Sequence, residues 1–72
     1  MPIQMVEVIS TNIKAVGYDP VAQTLRIEFQ SGGKYDYENV PLEVYNTFLA
    51  SPSKGKAFRE LIKGRYRFYK LN

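Results

Sequence analysis

The 72-residue chain contains neither cysteine nor histidine. Without cysteine, no disulfide or thiolate-bound metal can staple a small fold. Without histidine, the usual near-neutral acid–base group is missing. Together the two gaps remove the commonest nucleophile–base pairs and the commonest transition-metal ligands. Asp36 and Glu38 would share one face of a strand and could touch a hard cation through water, but two carboxylates on an open sheet are ordinarily solvated. Catalysis needs a nucleophile, a base and a pocket together, so the expectation is a protein that is not an enzyme and holds no cofactor or metal.

Long hydrophobic runs are missing as well. None approaches the roughly 20 residues that span a bilayer, and the opening "MPIQMVEVIS" lacks the basic start and apolar stretch of a secretory signal. The expectation is a cytoplasmic protein with no membrane partner. A chain this short forms one domain, residues 1–72, and buries only about 60% of the surface that its unfolded form exposes. A single apolar core must hold it, which leaves few large apolar residues to line a deep small-molecule pocket.

What the chain does have is lopsided charge. Residues 1–50 carry three cations (Lys14, Arg26, Lys34) and six carboxylates, a net of −3; residues 51–72 carry seven cations and one carboxylate, a net of +6. In "SKGKAFRELIKGRYRFYKL" (53–71) four aromatic rings are mixed among the cations. So one-sided a field favours anionic partners, although skewed charge also serves plain solubility.

The apolar pattern predicts the elements. Residues 1–9 read as an extended lead-in or edge strand. In "NIKAVGYD" (12–19) Val16 and Tyr18 share one side of a strand, and Asp19-Pro20 marks a turn. "LRIEFQ" (25–30) alternates, with Leu25, Ile27 and Phe29 facing one way. Gly32-Gly33 closes a hairpin into "KYDYE" (34–38). Pro41 suits the first turn of a helix whose stripe is Val44, Tyr45, Phe48 and Leu49. Ser53 is a good N-cap for a second helix with the stripe Ala57, Phe58, Leu61 and Ile62, and Gly64 is placed to stop it. Neither helix can hide its stripe alone. The predicted fold is therefore a small two-layer α+β domain: an antiparallel meander of three strands, extended if terminal strands join it, and covered on one face by two helices.

Four segments taken together are "AVGYDP" (15–20), "LRIEF" with "SGGKYDY" (25–37), "VPLEVYNTFLAS" (40–51) and "SKGKAFRELIKGRY" (53–66). In this order they resemble the KTSC domain, a short module found at the C-terminal end of some lysyl-tRNA synthetases and as a free-standing small bacterial or phage protein. The resemblance runs over residues 10–71, and the family's Tyr-x-Tyr matches Tyr35-Asp36-Tyr37. The synthetase context of the family implies RNA binding. The chain departs from the pattern at "AFREL", where the resemblance implies an amide side chain near Arg59.

The hairpin loop decides where Tyr35 and Tyr37 point. A three-residue loop, Ser31-Gly32-Gly33, opposes Phe29 to Tyr35 and Ile27 to Tyr37 and sends both rings to the core. A two-residue Gly32-Gly33 turn opposes Gln30 to Tyr35 and makes the rings an outer platform for stacking bases. The second arrangement would bury Lys34, Asp36 and Glu38 beneath apolar helices at a cost of several kcal/mol or more. The core reading is favoured, which makes the tyrosine pair structural.

On the second helix Lys56, Arg59 and Lys63 fall opposite the apolar stripe, with Glu60 beside them. If "RYRFYK" is extended, Arg65, Arg67 and Tyr69 share one side, while Tyr66 and Phe68 close the core. The expected binding surface is thus Lys54, Lys56, Arg59, Lys63, Arg65, Arg67 and Tyr69, holding RNA or another polyanion through its phosphates. A phosphate could also settle on the free N–H groups at Ser53, Lys54 and Gly55; the competing reading there is a plain helix cap. The competing function is a protein-interaction module or homodimer that uses an open sheet face or the N-terminal edge strand.

Overall fold

The computed structural model describes residues 3–72. Its elements run β1 (Val6–Glu7), β2 (Ile13–Asp19), β3 (Thr24–Phe29), β4 (Lys34–Tyr37), α1 (Leu42–Ala50), α2 (Lys54–Leu61) and β5 (Phe68–Lys70). The strands make one antiparallel sheet in the order β1-β2-β3-β4-β5. The three-stranded meander is therefore extended at both ends. The edge strand expected within residues 1–9 is the two-residue β1; residues 1–2 of that lead-in lie outside the described residues.

Local chemistry makes each turn. Asp19 Oδ1 accepts from the N–H groups of Val21 and Ala22 at 3.0 and 3.2 Å, which turns β2 into β3. At the next hairpin Phe29 N–H donates to Gly33 O at 2.8 Å and Gly32 N–H donates to Phe29 O at 2.9 Å. The loop is thus Gln30-Ser31-Gly32, with Gly32 at φ +103°, where a side chain would be strained. Tyr35 then opposes Ile27 and Tyr37 opposes Leu25, two residues away from the expected register. A two-residue slip keeps every side chain on its own face, so both tyrosines do point to the core side.

β2 carries a bulge between Ile13 and Ala15. The extra residue lets Ile13 and Val16 both enter the core although their spacing is odd. Ala15 and Gly17 are buried on the opposite, outer face. There residues 3–5 cross so closely that a Cβ on Gly17 would lie 2.5 Å from Ile3 Cγ2 and 2.6 Å from Gln4 O. The outer face that was a candidate contact surface is therefore partly covered by the chain itself.

Pro41 stands at the N-cap of α1 (φ −65°, ψ 150°), one place ahead of the expected first turn; α1 has no side-chain cap. Ser53 caps α2, its hydroxyl accepting from Lys56 N–H at 3.3 Å. The helix closes when Ile62 and Lys63 N–H both donate to Phe58 O. Gly64 follows two residues past the Ile62 cap in the left-handed region, at φ +76°. α1 contributes Phe48 to the buried core, α2 contributes Ala57, and Ile62 closes it, all against Ile13, Val16, Leu25, Ile27, Tyr37 and Val40. Fully burying a side chain such as Phe48 is worth about 1.5–3 kcal/mol. Tyr18 stacks on Tyr45 with ring centroids 4.7 Å apart and donates its hydroxyl to Val40 O. Burial pushes both phenols above their ordinary pKa.

Candidate nucleic-acid interface

α2 does not cover the whole inner face of the sheet. Its Phe58 sits edge-on to Phe29 and Tyr37, at centroid distances of 5.4 and 5.7 Å. Beyond Phe58, the pairing of β4 with β5 sets Lys70 opposite Tyr35 and Phe68 opposite Tyr37. Directly opposed residues share a face, so Phe68 and Lys70 lie on the same side as the two tyrosines. Phe68 contacts Tyr35 at 5.8 Å and Tyr37 at 5.5 Å, and Tyr35 meets Phe29 edge-on at 5.6 Å.

The uncovered strip is a groove of two adjoining hollows that share Phe29, Ser31, Phe58 and Lys63. One, of about 500 Å³, extends to Asn12, Gln30, Gly55 and Arg59. The other, of about 340 Å³, extends to Tyr35, Tyr37, Gly64 and Phe68. Among the described residues no carboxylate lines either one. The aromatic floor is graded in depth: Tyr37 is 5% exposed and Phe68 54%. Burial, with the neighbouring Tyr35 phenol adding to it, pushes the Tyr37 pKa up to about 12.

The predicted basic surface divides. Arg59 on α2 and Lys63 just past its end stand on the rim of the groove, and Lys56 is exposed on α2. Lys54 is half-buried, with its ammonium folded back onto Ser51 O. Ser53 is used as the cap and its own N–H donates to Ser51 Oγ at 3.2 Å, while a Cβ on Gly55 would meet Asn12 Nδ2 at 3.2 Å. Arg65 Nε donates to Glu60 O at 2.9 Å, which folds its guanidinium back over the end of α2.

Arg67 and Tyr69 do not continue the α2 surface; they face away from the groove. Tyr69 opposes Asp36 and donates its hydroxyl to Glu38. That bond raises the phenol pKa, while nearby Arg67 lowers it. The physical cause is alternation: once Phe68 and Lys70 point inward, their odd-numbered neighbours must point outward. On the same outer face Arg26 grips Asp36 through two hydrogen bonds of 2.8 and 3.0 Å, which holds the guanidinium pKa above its usual value. This is the one salt bridge among the described residues, so none of the basic-segment cations has a carboxylate partner of that kind.

Reasoning from residue types missed Lys70 and the exposed half of the aromatic floor. The alternation of "RYRFYK" already groups Phe68 with Lys70; the missing fact was the β4–β5 pairing that brings both beside Tyr35. Among the described residues no helix is long and apolar enough to cross a membrane.

The KTSC domain family matches residues 9–66. A lysine–tRNA ligase from Nostoc sp. is 45% identical over 60 residues, covering 83% of this chain but 11% of that protein's length. An uncharacterized protein from Stutzerimonas stutzeri is 39% identical over 64 residues, covering 88% of this chain and 90% of the relative. The crystal structure of a KTSC domain protein from Yersinia pestis superposes with a TM-score of 0.96 at 35% identity, over 99% of this chain and 100% of that one. The chain thus spans about a ninth of the Nostoc ligase, and nearly all of the small relatives.

Proposed function

This chain belongs to the KTSC domain family, and from that premise we propose that it is a non-catalytic module that binds single-stranded nucleic acid, RNA in the first instance, along the groove beside α2. The observation that carries the reading is the pairing of an aromatic floor with a rim of Arg59 and Lys63, in a lining free of carboxylates. Aromatic faces accept any base, and unpaired cations accept phosphate, which is how sequence-tolerant single-strand binders work. The similarity to proteins named for joining lysine to tRNA supports RNA as the polyanion. A second reading draws on the exposed edge at β5, where Phe68, Tyr69 and Leu71 are all about half exposed: a partner strand, including that of a second copy, could add there.

The test is fluorescence anisotropy with a labelled single-stranded RNA across a salt series. Each phosphate contact contributes a slope of about −0.7 in log affinity against log salt. Lys63→Gln is expected to weaken binding and flatten that slope by about one contact. Affinity that ignores salt would remove the reading, and concentration-dependent mass without RNA would favour the strand-addition alternative.

A further inference from the structure

We infer that the groove takes two consecutive nucleotides of a single strand, one base in each hollow, with the linking phosphate held at Lys63 and Arg59. The inference rests on the preceding reading that this groove binds single-stranded nucleic acid, and adds how many bases enter and which hollow discriminates between them.

The two hollows have different chemistry. The smaller one, of about 340 Å³, is walled mainly by rings. That volume is at the low end of the roughly 300–1,000 Å³ of ligand pockets, which suits one nucleoside. Phe68, at 54% exposure, offers a face on which a base can stack, and nothing polar but Ser31, the tyrosine hydroxyls and Lys63 is there to read base identity. This hollow accepts any base.

The larger hollow, of about 500 Å³, is lined by amides and hydroxyls, among them Asn12, Gln30, Thr11 and Ser31. Gln30 Nε2 donates to Ser10 O at 3.3 Å, which anchors the amide and leaves its carbonyl oxygen to accept. The Asn12 main chain is held by Ser10 Oγ at 3.2 Å, while its side-chain amide makes no hydrogen bond among the described residues and keeps both donor and acceptor free. Gly55 leaves room for that amide, because a Cβ there would press on Asn12 Nδ2 at 3.2 Å. Two amides with open donors and acceptors match the Watson–Crick edge of an unpaired base. Lys63 belongs to both linings and Arg59, one turn earlier on α2, to the larger alone. The two cations therefore stand where a phosphate joining the two bases would pass. A duplex cannot use this site, since its base edges are paired and its faces stacked.

The experiment is a binding series on the full chain with single-stranded tetranucleotides of each base, a matching duplex and mononucleotides, read by heteronuclear NMR shifts. Three variants are compared alongside Lys63→Gln. Phe68→Leu keeps apolar packing but removes the aromatic face; Phe68→Trp restores one; Asn12→Ala removes the free amide. The expected results are at least about a fivefold loss for every tetranucleotide in Phe68→Leu, recovery in Phe68→Trp, and a narrowed spread of affinities between bases in Asn12→Ala. Duplex and mononucleotides bind more weakly than any tetranucleotide. If Phe68→Leu binds like the unaltered protein while Lys63→Gln still loses affinity, the protein holds phosphate alone: the nucleic-acid reading stands and the two-base inference falls. If Asn12→Ala leaves the spread unchanged, the assignment of discrimination to the larger hollow is overturned. If the unaltered chain binds no tetranucleotide at low salt, both fall together.

Discussion

The two faces of the sheet handle charge in opposite ways. On the outer face Arg26 is clamped by Asp36, Tyr69 is held by Glu38, and residues 3–5 cross over Gly17. On the groove side Arg59 and Lys63 border half-buried rings with no carboxylate in the lining. Both faces draw on the same basic C-terminal segment. A segment's net charge therefore does not locate a field: the +6 of residues 51–72 is split by strand alternation, and Arg67 is left among the acids of the outer face. What attracts a polyanion is the local excess that remains after neighbours have paired.

The sharpest way to break this contrast is to reverse the rim. Arg59→Glu combined with Lys63→Glu is expected to lower single-stranded RNA affinity by about a hundredfold or more at low salt. Stability measured by urea unfolding should move by no more than about 0.5 kcal/mol, as for most exposed substitutions. A large loss of stability with retained binding would make this rim structural. A second test uses the deepest ring of the groove. Tyr37 has a folded pKa of about 12 against an ordinary 10, so the folded state holds the proton more tightly than the unfolded state. This contribution is complete below pH 10 and is lost as pH rises towards 12, by up to about 1.4 kcal/mol per pH unit. Urea midpoints between pH 9 and 12 should fall accordingly, and Tyr37→Phe should flatten the part of the fall that Tyr37 owns, with Tyr18 and Tyr45 supplying a remainder. The smallest effect belongs to the outer face. Asp36→Asn is expected to cost about 1 kcal/mol, since the ion pair is partly exposed, and to leave RNA affinity unchanged. A change in affinity would mean that the two faces are not independent.

Much of the architecture was legible in single residues. Leu25, Ile27 and Phe29 announced a half-buried strand, Phe48 and Ile62 marked the buried sides of two helical stripes, and Ser53 caps as its type and place suggested. What escaped was set by pairing across distance. The odd spacing of Ile13 and Val16 hides a bulge that no local pattern reveals. Gly32 and Gly33 both permit a turn, and only the ladder shows that Gly32 takes the positive φ, which moves the register by two residues. For the candidate site, α2's cations were legible because a helix face is a local property. The choice of inward residues on β5 was not, because it depends on a partner strand some thirty positions earlier. Residue types alone therefore leave out Lys70 and group Arg67 and Tyr69 with a surface from which the ladder turns them away.

From β1 to β4 each strand lies next to its predecessor in sequence, so three ladders close over short turns and little loop entropy opposes them. The last ladder must wait for residues 38–67, the whole helical excursion, before Phe68 can meet Tyr37. A three-residue edge strand added across so long a separation carries the largest loop-closure cost of the four ladders and should be the last of them to form. Amide exchange at Phe68–Lys70 should accordingly outpace that of the central β3, which is hydrogen-bonded on both sides.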